Sequence, residues 1–153
     1  MYEAVLVLHS LLRWAVVLTA VVAIARAVGG WTSRRPWTPT DAAAARWFVI
    51  AMTLQFVLGL LLWAWLSPFG AAGFADMAST MKDPTRRFWA VEHITMMVLS
   101  LGVAHVGAAR ARKGRDDSRK HRSAAIFFTV SLALAMIAIP WTGADARPWF
   151  RGF

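Results

Sequence analysis

Cysteine is absent from the sequence. Disulfides, thiolate-held iron–sulfur clusters and covalently attached c-type haem all need cysteine sulfur, so none of them can form in this chain. Any metal centre must use histidine, methionine or carboxylate ligands. The short motifs typical of hydrolases, nucleotide enzymes and dinucleotide enzymes (GxSxG, HExxH, the Walker sequence and GxGxxG) are also missing in a fitting context. The sequence therefore gives no support for these classes of enzyme.

Apolar residues, by contrast, make up 58% of the 153 residues, and the mean hydropathy is +0.50. Four stretches, about 4–28, 44–66, 88–108 and 124–141, are long enough to cross a hydrocarbon layer of roughly 30 Å as helices. We therefore expect an all-α, up-down-up-down four-helix bundle in a membrane, as a single domain over residues 1–153. A signal peptide fits the first stretch poorly, because Glu3 replaces a basic start and Arg13 interrupts the apolar run.

The formal charge of +9 is unevenly distributed. The first and third connections hold eleven of the seventeen basic residues: Arg26, Arg34, Arg35, Arg46, Arg110, Arg112, Lys113, Arg115, Arg119, Lys120 and Arg122. Cytoplasmic loops of membrane proteins carry such an excess, so we expect these connections in the cytoplasm and both termini outside. On the outer side basic and acidic residues balance: Lys82, Arg86, Arg87, Arg147 and Arg151 against Glu3, Asp76, Asp83, Glu92 and Asp145. The basic connections are expected to face lipid headgroups, not nucleic acid.

Local chemistry predicts where three of the helices start. In KDPTRRFW, Asp83 is a good N-cap and Pro84 fits the first helical position, so the third helix should begin there. Thr40 or Asp41 is expected to cap the second helix, and Ser123 the fourth.

The informative polar side chains within the apolar stretches are His9, Arg13, Gln55, Glu92, His93, Thr95 and His105. Such groups are rare in lipid and usually face the interior of a bundle with a partner. If Ala4 and Phe88 mark the outer boundaries, His9 and His93 each lie five residues in, roughly 8 Å deep. The first and third helices should run parallel, so the two imidazoles could approach one object from opposite sides.

A single b-type haem best fits this pair of imidazoles. Its iron takes two axial nitrogens from facing helices, and its flat apolar ring suits the interior of a bundle. We expect His9 and His93 as the metal ligands, in the outer half of the membrane. The propionates would meet the cations just outside the third helix: Lys82, Arg86 and Arg87. Such a haem would carry electrons to or from a quinone or a partner redox subunit.

A charged pair is expected beside the haem. Arg13 lies one turn deeper than His9 on the same helix face, and Glu92 would act as its counter-ion. Glu92 is about 100° away from His93 around the helix, so it is a neighbour of the site and not a ligand.

A second haem is not expected. His105 is rotated by roughly 120° from His93 around the helix, so one straight helix would not aim both rings at the same interior line. His121 lies in a basic connection, and the two remain a weak pair at the cytoplasmic edge. Gln55 either bonds across helices or binds a quinone carbonyl.

Other interpretations remain open for the same residues. Taken singly, His9 or His93 is better explained as a structural histidine bonded within the bundle. A non-redox protein could use His9, Arg13, Glu92 and His93 as a proton or ion relay, and it would then show no Soret absorption. One histidine could instead ligate the magnesium of a chlorophyll, as in a pigment-binding or accessory subunit of a membrane complex.

Four segments carry a resemblance to a known family: LHSLLRW near the start, MKDPTRRFWAVEHITMM around the start of the third helix, AHVGAARARK at its end, and IPW closing the fourth. They resemble small four-helix bacterial membrane proteins labelled cytochrome b-like, over most of the chain. The resemblance implies a bacterial inner membrane and haem binding, with His9 and His93 as the ligand positions. The site neighbours it implies are Arg13, Arg87, Trp89 and Glu92.

Overall fold

The computed structural model describes residues 1–141, so the charged residues Asp145, Arg147 and Arg151 and the aromatic Trp149 lie outside the described part. The α-helices, in chain order, are α1 Tyr2–Thr32, α2 Pro39–Leu61, α3 Met77–Lys82, α4 Pro84–Arg87, α5 His93–Lys113 and α6 Asp117–Ile137. Two π-helical turns and one 3-10 helix connect some of them. The π turns are Leu62–Leu66, which continues α2, and Phe88–Glu92, which joins α4 to α5; the 3-10 helix is Ala71–Asp76.

Four continuous helical segments are long and apolar enough to cross a membrane: Tyr2–Thr32, Pro39–Leu66, Pro84–Lys113 and Asp117–Ile137. The part of the chain that the structure describes contains no strand. The prediction of an all-α protein with four such helices is therefore confirmed. The structure also shows a feature that the sequence did not predict. The second connection contains two short helices, the 3-10 helix and α3.

The predicted helix starts meet different outcomes. The prediction for the third helix is confirmed: Pro84 is the first residue of α4, and the Asp83 side chain accepts a hydrogen bond from the backbone N–H of Arg86. The prediction for the fourth helix is wrong, because α6 begins at Asp117 with Asp116 as its N-cap, before Ser123. Asp116 and Asp117 place negative charge at a helix N-terminus, where the helix dipole favours it, so the helix starts within the basic run.

The second helix uses a different cap from the one expected. Thr38 is the N-cap of α2 and Pro39 is its first residue, while Asp41 occupies the third helical position. The Thr38 side chain accepts a hydrogen bond from the Asp41 backbone, and the Asp41 carboxylate accepts one from the Thr38 backbone. This reciprocal arrangement is a capping box, which satisfies two backbone donors that the first turn of a helix would otherwise leave open.

The long helices form a four-membered ring. Helix α1 packs mainly against α2 and α6, and α5 packs mainly against α6 and α2. Helices α1 and α5 therefore occupy diagonal corners. This places His9 on α1 and His93 at the start of α5 across the bundle from each other.

The core is concentrated in one half of the bundle and consists largely of alanine: Ala20, Ala23, Ala27, Ala45, Ala51, Ala104, Ala111, Ala124 and Ala125, with Val16, Phe48, Met52 and Phe128. Small residues let helix backbones approach closely. The fully buried rings of Phe48 and Phe128 meet edge to face, with centroids 5.0 Å apart. Ser100 and Ser131, both fully buried, exchange hydrogen bonds between α5 and α6. This half is tightly packed, and the cavity described below lies in the other half.

The first and third connections meet at the tightly packed end, which we call the basic end (residues 33–38 and 114–116 with the adjoining helix ends). His121 of α6 is fully buried, and its ring lies 4.8 Å from that of Trp37. The carboxylate of Asp41 is also buried here and accepts hydrogen bonds from Arg26 at 2.9 Å and Arg35 at 2.6 Å. The hydrogen bond to Asp41 raises the pKa of Arg35 above its ordinary value.

Candidate cofactor site

A cavity of about 150 Å³ opens in the half of the bundle away from the basic end. All four long helices contribute to its wall, and both His9 and His93 line it. A smaller adjoining cavity of about 30 Å³ is lined by the same two histidines. The wall is mainly apolar, and its polar side chains among the described residues include Ser10, Arg13 and Gln55. Helix α5, which carries His93, faces α1, which carries His9, across this space.

The end of α6 fixes the orientation of His93. Nδ1 of His93 lies 2.8 Å from the carbonyl oxygen of Ala138, the residue that follows α6. A carbonyl oxygen can only accept, so Nδ1 carries the hydrogen and donates it. Nε2 therefore keeps its lone pair. Histidines that bind metals are usually held in this way, with the other ring nitrogen donating to a carbonyl or a carboxylate.

His9 is held by Gln55 of α2. Nε2 of His9 lies 3.1 Å from Nε2 of Gln55. An amide nitrogen can only donate, so the imidazole nitrogen accepts, and Nδ1 of His9 carries the hydrogen. Within the described residues, His9 Nδ1 and Gln55 Oε1 are both buried and have no hydrogen-bond partner. Leaving a buried polar atom unsatisfied costs roughly 1–3 kcal/mol, so these atoms mark a place where a polar ligand or water would be stabilised.

Gly59 makes room for the imidazole of His9. A Cβ atom at residue 59 would lie 2.9 Å from Cε1 of His9, closer than real Cβ contacts allow. Any larger residue at this position would push the ring away from Gln55. Gly59 therefore helps to set where His9 stands in the cavity wall.

The two π turns border the cavity. Trp63 lies in the first and Trp89 in the second, and both line the cavity. The indole N–H of Trp63 donates a hydrogen bond to the carbonyl of Ala90 in the second π turn at 2.9 Å. His93 follows that turn directly. Because π turns inside α-helices occur frequently at functional sites, their position supports the cavity as the site.

The expected ion pair between Arg13 and Glu92 does not form in the described part of the chain. Glu92 instead accepts a hydrogen bond from Nε of Arg87 at 2.6 Å. The physical reason is the π turn between them: a π-helix aligns residues five apart, so Arg87 and Glu92 come onto one face. Arg13 lines the cavity, and its guanidinium carbon lies 5.4 Å from the ring centre of Trp14 and 5.9 Å from that of Trp141.

The remaining predicted neighbours divide into two groups. Trp89 lines the cavity, as expected for a residue beside the site. Lys82, Arg86, Arg87 and Glu92 are not among the described residues that line it. Lys82 is exposed, and Nε of Arg86 lies 3.8 Å from a carboxylate oxygen of Asp83. These charges therefore lie around the start of α4 and not in the cavity wall.

The other two histidines have separate surroundings. His105 lies on the surface, with Nε2 3.2 Å from the hydroxyl of Thr53. His121 is buried at the basic end, with Nε2 3.5 Å from the carbonyl of Pro36. The described part of the chain contains no group of three or more His, Cys, Asp or Glu side chains that could hold a metal ion.

Sequence reasoning missed three contributions to the site. Nothing in the sequence distinguishes Trp63 from the other tryptophans, and only the folded structure shows that it lines the cavity. The carbonyl of Ala138 leaves no signal in a sequence, because every residue has one. The π turns lie within stretches that fit an ordinary helix, so composition does not reveal them.

Comparisons of the chain with models of protein families, with curated proteins and with solved structures found no match. The arguments about function below therefore rest on the cavity, the contacts of its side chains and the charge distribution.

Proposed function

We propose that this chain is a membrane-embedded b-type haem protein that carries electrons, with His9 and His93 as the two axial ligands of one haem. The observation that carries the proposal is that these two histidines, from diagonal helices, line one cavity. In a helix bundle, a haem bound by two histidines takes one nitrogen from each of two facing helices. The resemblance to cytochrome b-like membrane proteins points in the same direction.

The protonation of His93 supports ligation. Its Nδ1–H is committed to the Ala138 carbonyl, which leaves the lone pair of Nε2 for a metal. His9 would bind through Nε2 by exchanging the Gln55 amide for iron, and Nδ1 would keep its hydrogen. A haem bound by two imidazoles supplies one-electron transfer with no open position for substrate or oxygen. The side chains of the chain would orient the ring and exclude water.

The cavity must widen before it can bind a haem. A cavity of about 150 Å³ accommodates a ring of the size of benzene. A macrocycle therefore requires the surrounding side chains to move apart. Tyr2, Phe69 and Trp89 are among the large side chains that line the cavity, and their rotation would widen it. The basic residues expected near the propionates, Lys82, Arg86 and Arg87, lie in and just before α4. In the described cavity wall, the guanidinium is that of Arg13.

The proposed arrangement in the membrane follows from the charges. The contacts of His121 with Trp37 and of Arg122 with Trp31 bring the first and third connections together, and these connections carry the basic excess. We place this end in the cytoplasm of a bacterium, with the helices running up-down-up-down and both termini outside. The haem would then lie in the outer half of the inner membrane. It would exchange electrons with a quinone or with a partner redox subunit.

A reduced-minus-oxidised absorption spectrum of the purified protein in detergent tests the proposal. The native chain is expected to show a Soret band and the sharp α band of a low-spin six-coordinate haem. His9→Ala and His93→Ala should each abolish the low-spin spectrum, because each removes one of the two axial nitrogens.

Two matched controls separate ligation from general damage. His105→Ala and Gln55→Leu should keep the low-spin spectrum, because neither residue is a proposed ligand, although Gln55 contacts His9 directly. An unchanged low-spin spectrum in either His9→Ala or His93→Ala would show that the ligand assignment is wrong. A native chain that binds no haem when haem is supplied would favour the proton or ion relay.

A further inference from the structure

The smaller cavity, of about 30 Å³, combines imidazole and thioether side chains. His9 lines it from α1 and His93 from the start of α5, and they are joined by Met52 of α2 and Met97 of α5. One water-sized sphere needs roughly 10–15 Å³, so the space suits a single ion and not a ring. Four side chains that can donate an electron pair to a metal therefore line a space of ionic size.

Each imidazole has a nitrogen that can bind a cation. Nδ1 of His93 donates its hydrogen to the carbonyl of Ala138, so Nε2 keeps its lone pair. Nε2 of His9 accepts a hydrogen bond from the amide of Gln55, and a metal ion would take the place of that amide. Gln55 lines the same small cavity, so the nitrogen that it contacts belongs to this space.

The spacing of the residues brings the methionines onto the faces of the helices that carry the other polar groups. Met97 follows His93 by four residues on α5, and Met52 precedes Gln55 by three residues on α2. Residues three or four apart lie on one face of a helix. Met52 is 3% exposed and Met97 is partly buried. A methionine has three rotatable bonds, so its sulfur can adjust its position within a small space.

The chemistry of this wall selects a soft ion of low charge. No carboxylate is among the described residues that line either cavity, so magnesium, calcium and manganese lack the ligands that they prefer. Thioethers select Cu(I), and imidazole also suits copper. The desolvation cost of an ion rises with the square of its charge, and uncharged ligands do not compensate a second charge. Phe56, Trp63 and Ile94 complete a largely apolar wall, which favours a monovalent ion further.

We infer that the smaller cavity binds one Cu(I) ion through the imidazoles of His9 and His93 and the thioethers of Met52 and Met97. The inference goes beyond the proposed function, because copper would occupy the cavity at its present size, whereas a haem requires the bundle to widen. Both groups would use the same imidazole nitrogens, so one chain would hold either haem or copper. The thioethers belong to the copper site alone.

Competition with bathocuproine disulfonate, a chelator that becomes coloured when it binds Cu(I), tests the site. The probe is Cu(I) itself, supplied anaerobically to the full chain in detergent without added haem. The native chain is expected to withdraw one copper ion per chain from the coloured complex, and excess zinc should not displace it, because zinc is divalent and does not favour thioethers. A native chain that withdraws no copper, or that loses it to zinc, would overturn the inference.

Methionine variants locate the copper. Met52→Leu and Met97→Leu should each weaken Cu(I) binding by about tenfold or more, since even a group that only supports a ligand contributes roughly 10–100-fold to metal affinity. Leucine is close to methionine in volume, so both variants should fold. Met96→Leu, next to Met97 but lining neither cavity, should keep native affinity, as should the double change of the exposed Met77 and Met81 to leucine. Native affinity in Met52→Leu or Met97→Leu, or weakened binding in either control, would overturn the site.

The haem spectrum separates this inference from the proposed function. Met52→Leu and Met97→Leu are expected to keep the low-spin haem spectrum, because neither thioether is a proposed haem ligand, and that spectrum also shows that the variants are folded. His93→Ala should lose both haem and Cu(I). Failure of the haem proposal would appear in the absorption spectrum, and failure of the copper site would appear in the chelator titration. Native Cu(I) affinity in His93→Ala would overturn the copper site.

Discussion

The imidazole of His121 occupies the space of a side chain at residue 30. A Cβ atom at Gly30 would lie 2.1 Å from Cε1 of His121, far inside any real contact. The ring is fully buried and packs beside Trp37. One residue pair thus locks α6 to α1 at the basic end, through shape and not through charge.

Gly30→Ala is expected to destabilise the protein by about 1–3 kcal/mol, the usual cost of overpacking a well-filled core. The helix propensity of alanine acts in the opposite direction, so a loss of stability would report the clash. The measurement is unfolding in mixed detergent micelles, followed by tryptophan fluorescence.

The double change Gly30→Ala with His121→Ala supplies the control. With the ring removed, the added methyl group has space, so the cost of Gly30→Ala should largely disappear in that background. Purely additive effects of the two changes would contradict the contact. Gly29→Ala is a matched neighbour, because a Cβ atom there would meet nothing within 4 Å, and it should be neutral or slightly stabilising.

For single residues, the sequence identified polar side chains of the cavity more successfully than it predicted which side chains touch each other. His9 and His93 were selected because they lie at equal depth, and both do line one cavity. Their role as ligands stays a prediction. The pairing of Gly30 with His121 could not be predicted, because it depends on how two distant helices are rotated against each other. The Arg87 and Glu92 pair depends on a π turn, which the sequence pattern does not reveal.

The first turn of α2 is stabilised by an unusually complete set of partners for one carboxylate. Asp41 is 2% exposed. It accepts hydrogen bonds from Arg26, from Arg35, and from both the backbone and the hydroxyl of Thr38. The carboxylate therefore joins the end of α1, the first connection and the start of α2. A buried charge with this many donors is stabilised by its partners, and both arginines depend on it in return.

Asp41→Asn should destabilise the protein by about 3 kcal/mol, because it removes the negative charge from a buried pair and leaves an amide that cannot accept at both positions. Chemical denaturation followed by circular dichroism would measure the change. Thr38→Ala should cost about 1 kcal/mol through the lost cap.

Asp116→Asn is the matched control for the change at Asp41. Asp116 caps α6, but its side chain is 53% exposed, and asparagine caps a helix as well as aspartate does. This change should therefore have little effect on stability. If Asp41→Asn had an equally small effect on stability, the buried carboxylate of Asp41 and its hydrogen bonds would have no structural role.

Helix starts show which local signals can be trusted. Asp83 with Pro84 was predicted correctly because an N-cap followed by proline fits few other structures. The prediction of Ser123 as an N-cap is wrong because the basic run is itself largely helical: lysine and arginine are good helix formers and favour the C-terminal turn of α5. The third connection therefore narrows to residues 114–116. Length and apolar composition predicted the helices. A capping residue predicted a helix start correctly where a proline at the first helical position followed it, as at Asp83 and Pro84.

The molecule as a whole is polarised, with the basic connections and the alanine core at one end and the cavity at the other. Alkaline phosphatase fused at the C-terminus should be active, and a fluorescent protein fused within residues 114–116 should fluoresce, because the basic end is expected in the cytoplasm. A fluorescent C-terminal fusion would reverse the proposed orientation and move the cavity to the inner half of the membrane.

Charge changes test the cause of this orientation. Changing the exposed residues Arg112, Lys113 and Arg115 to glutamine should lower the fraction of correctly oriented chains, because these residues carry part of the basic excess. The same change at Lys82 and Arg86, which are exposed near the other end, should not lower it. An equal effect of both sets would show that total charge, and not its distribution, directs insertion.

The uneven packing has a consequence for hydrostatic pressure. Pressure favours states of smaller volume, and the response of a protein scales with the internal voids that can be eliminated. The described cavities lie beside His9 and His93, whereas the residues of the alanine core at the other end are buried against one another. Compression would therefore act first on the half that holds the two histidines, and the basic end would change its volume less.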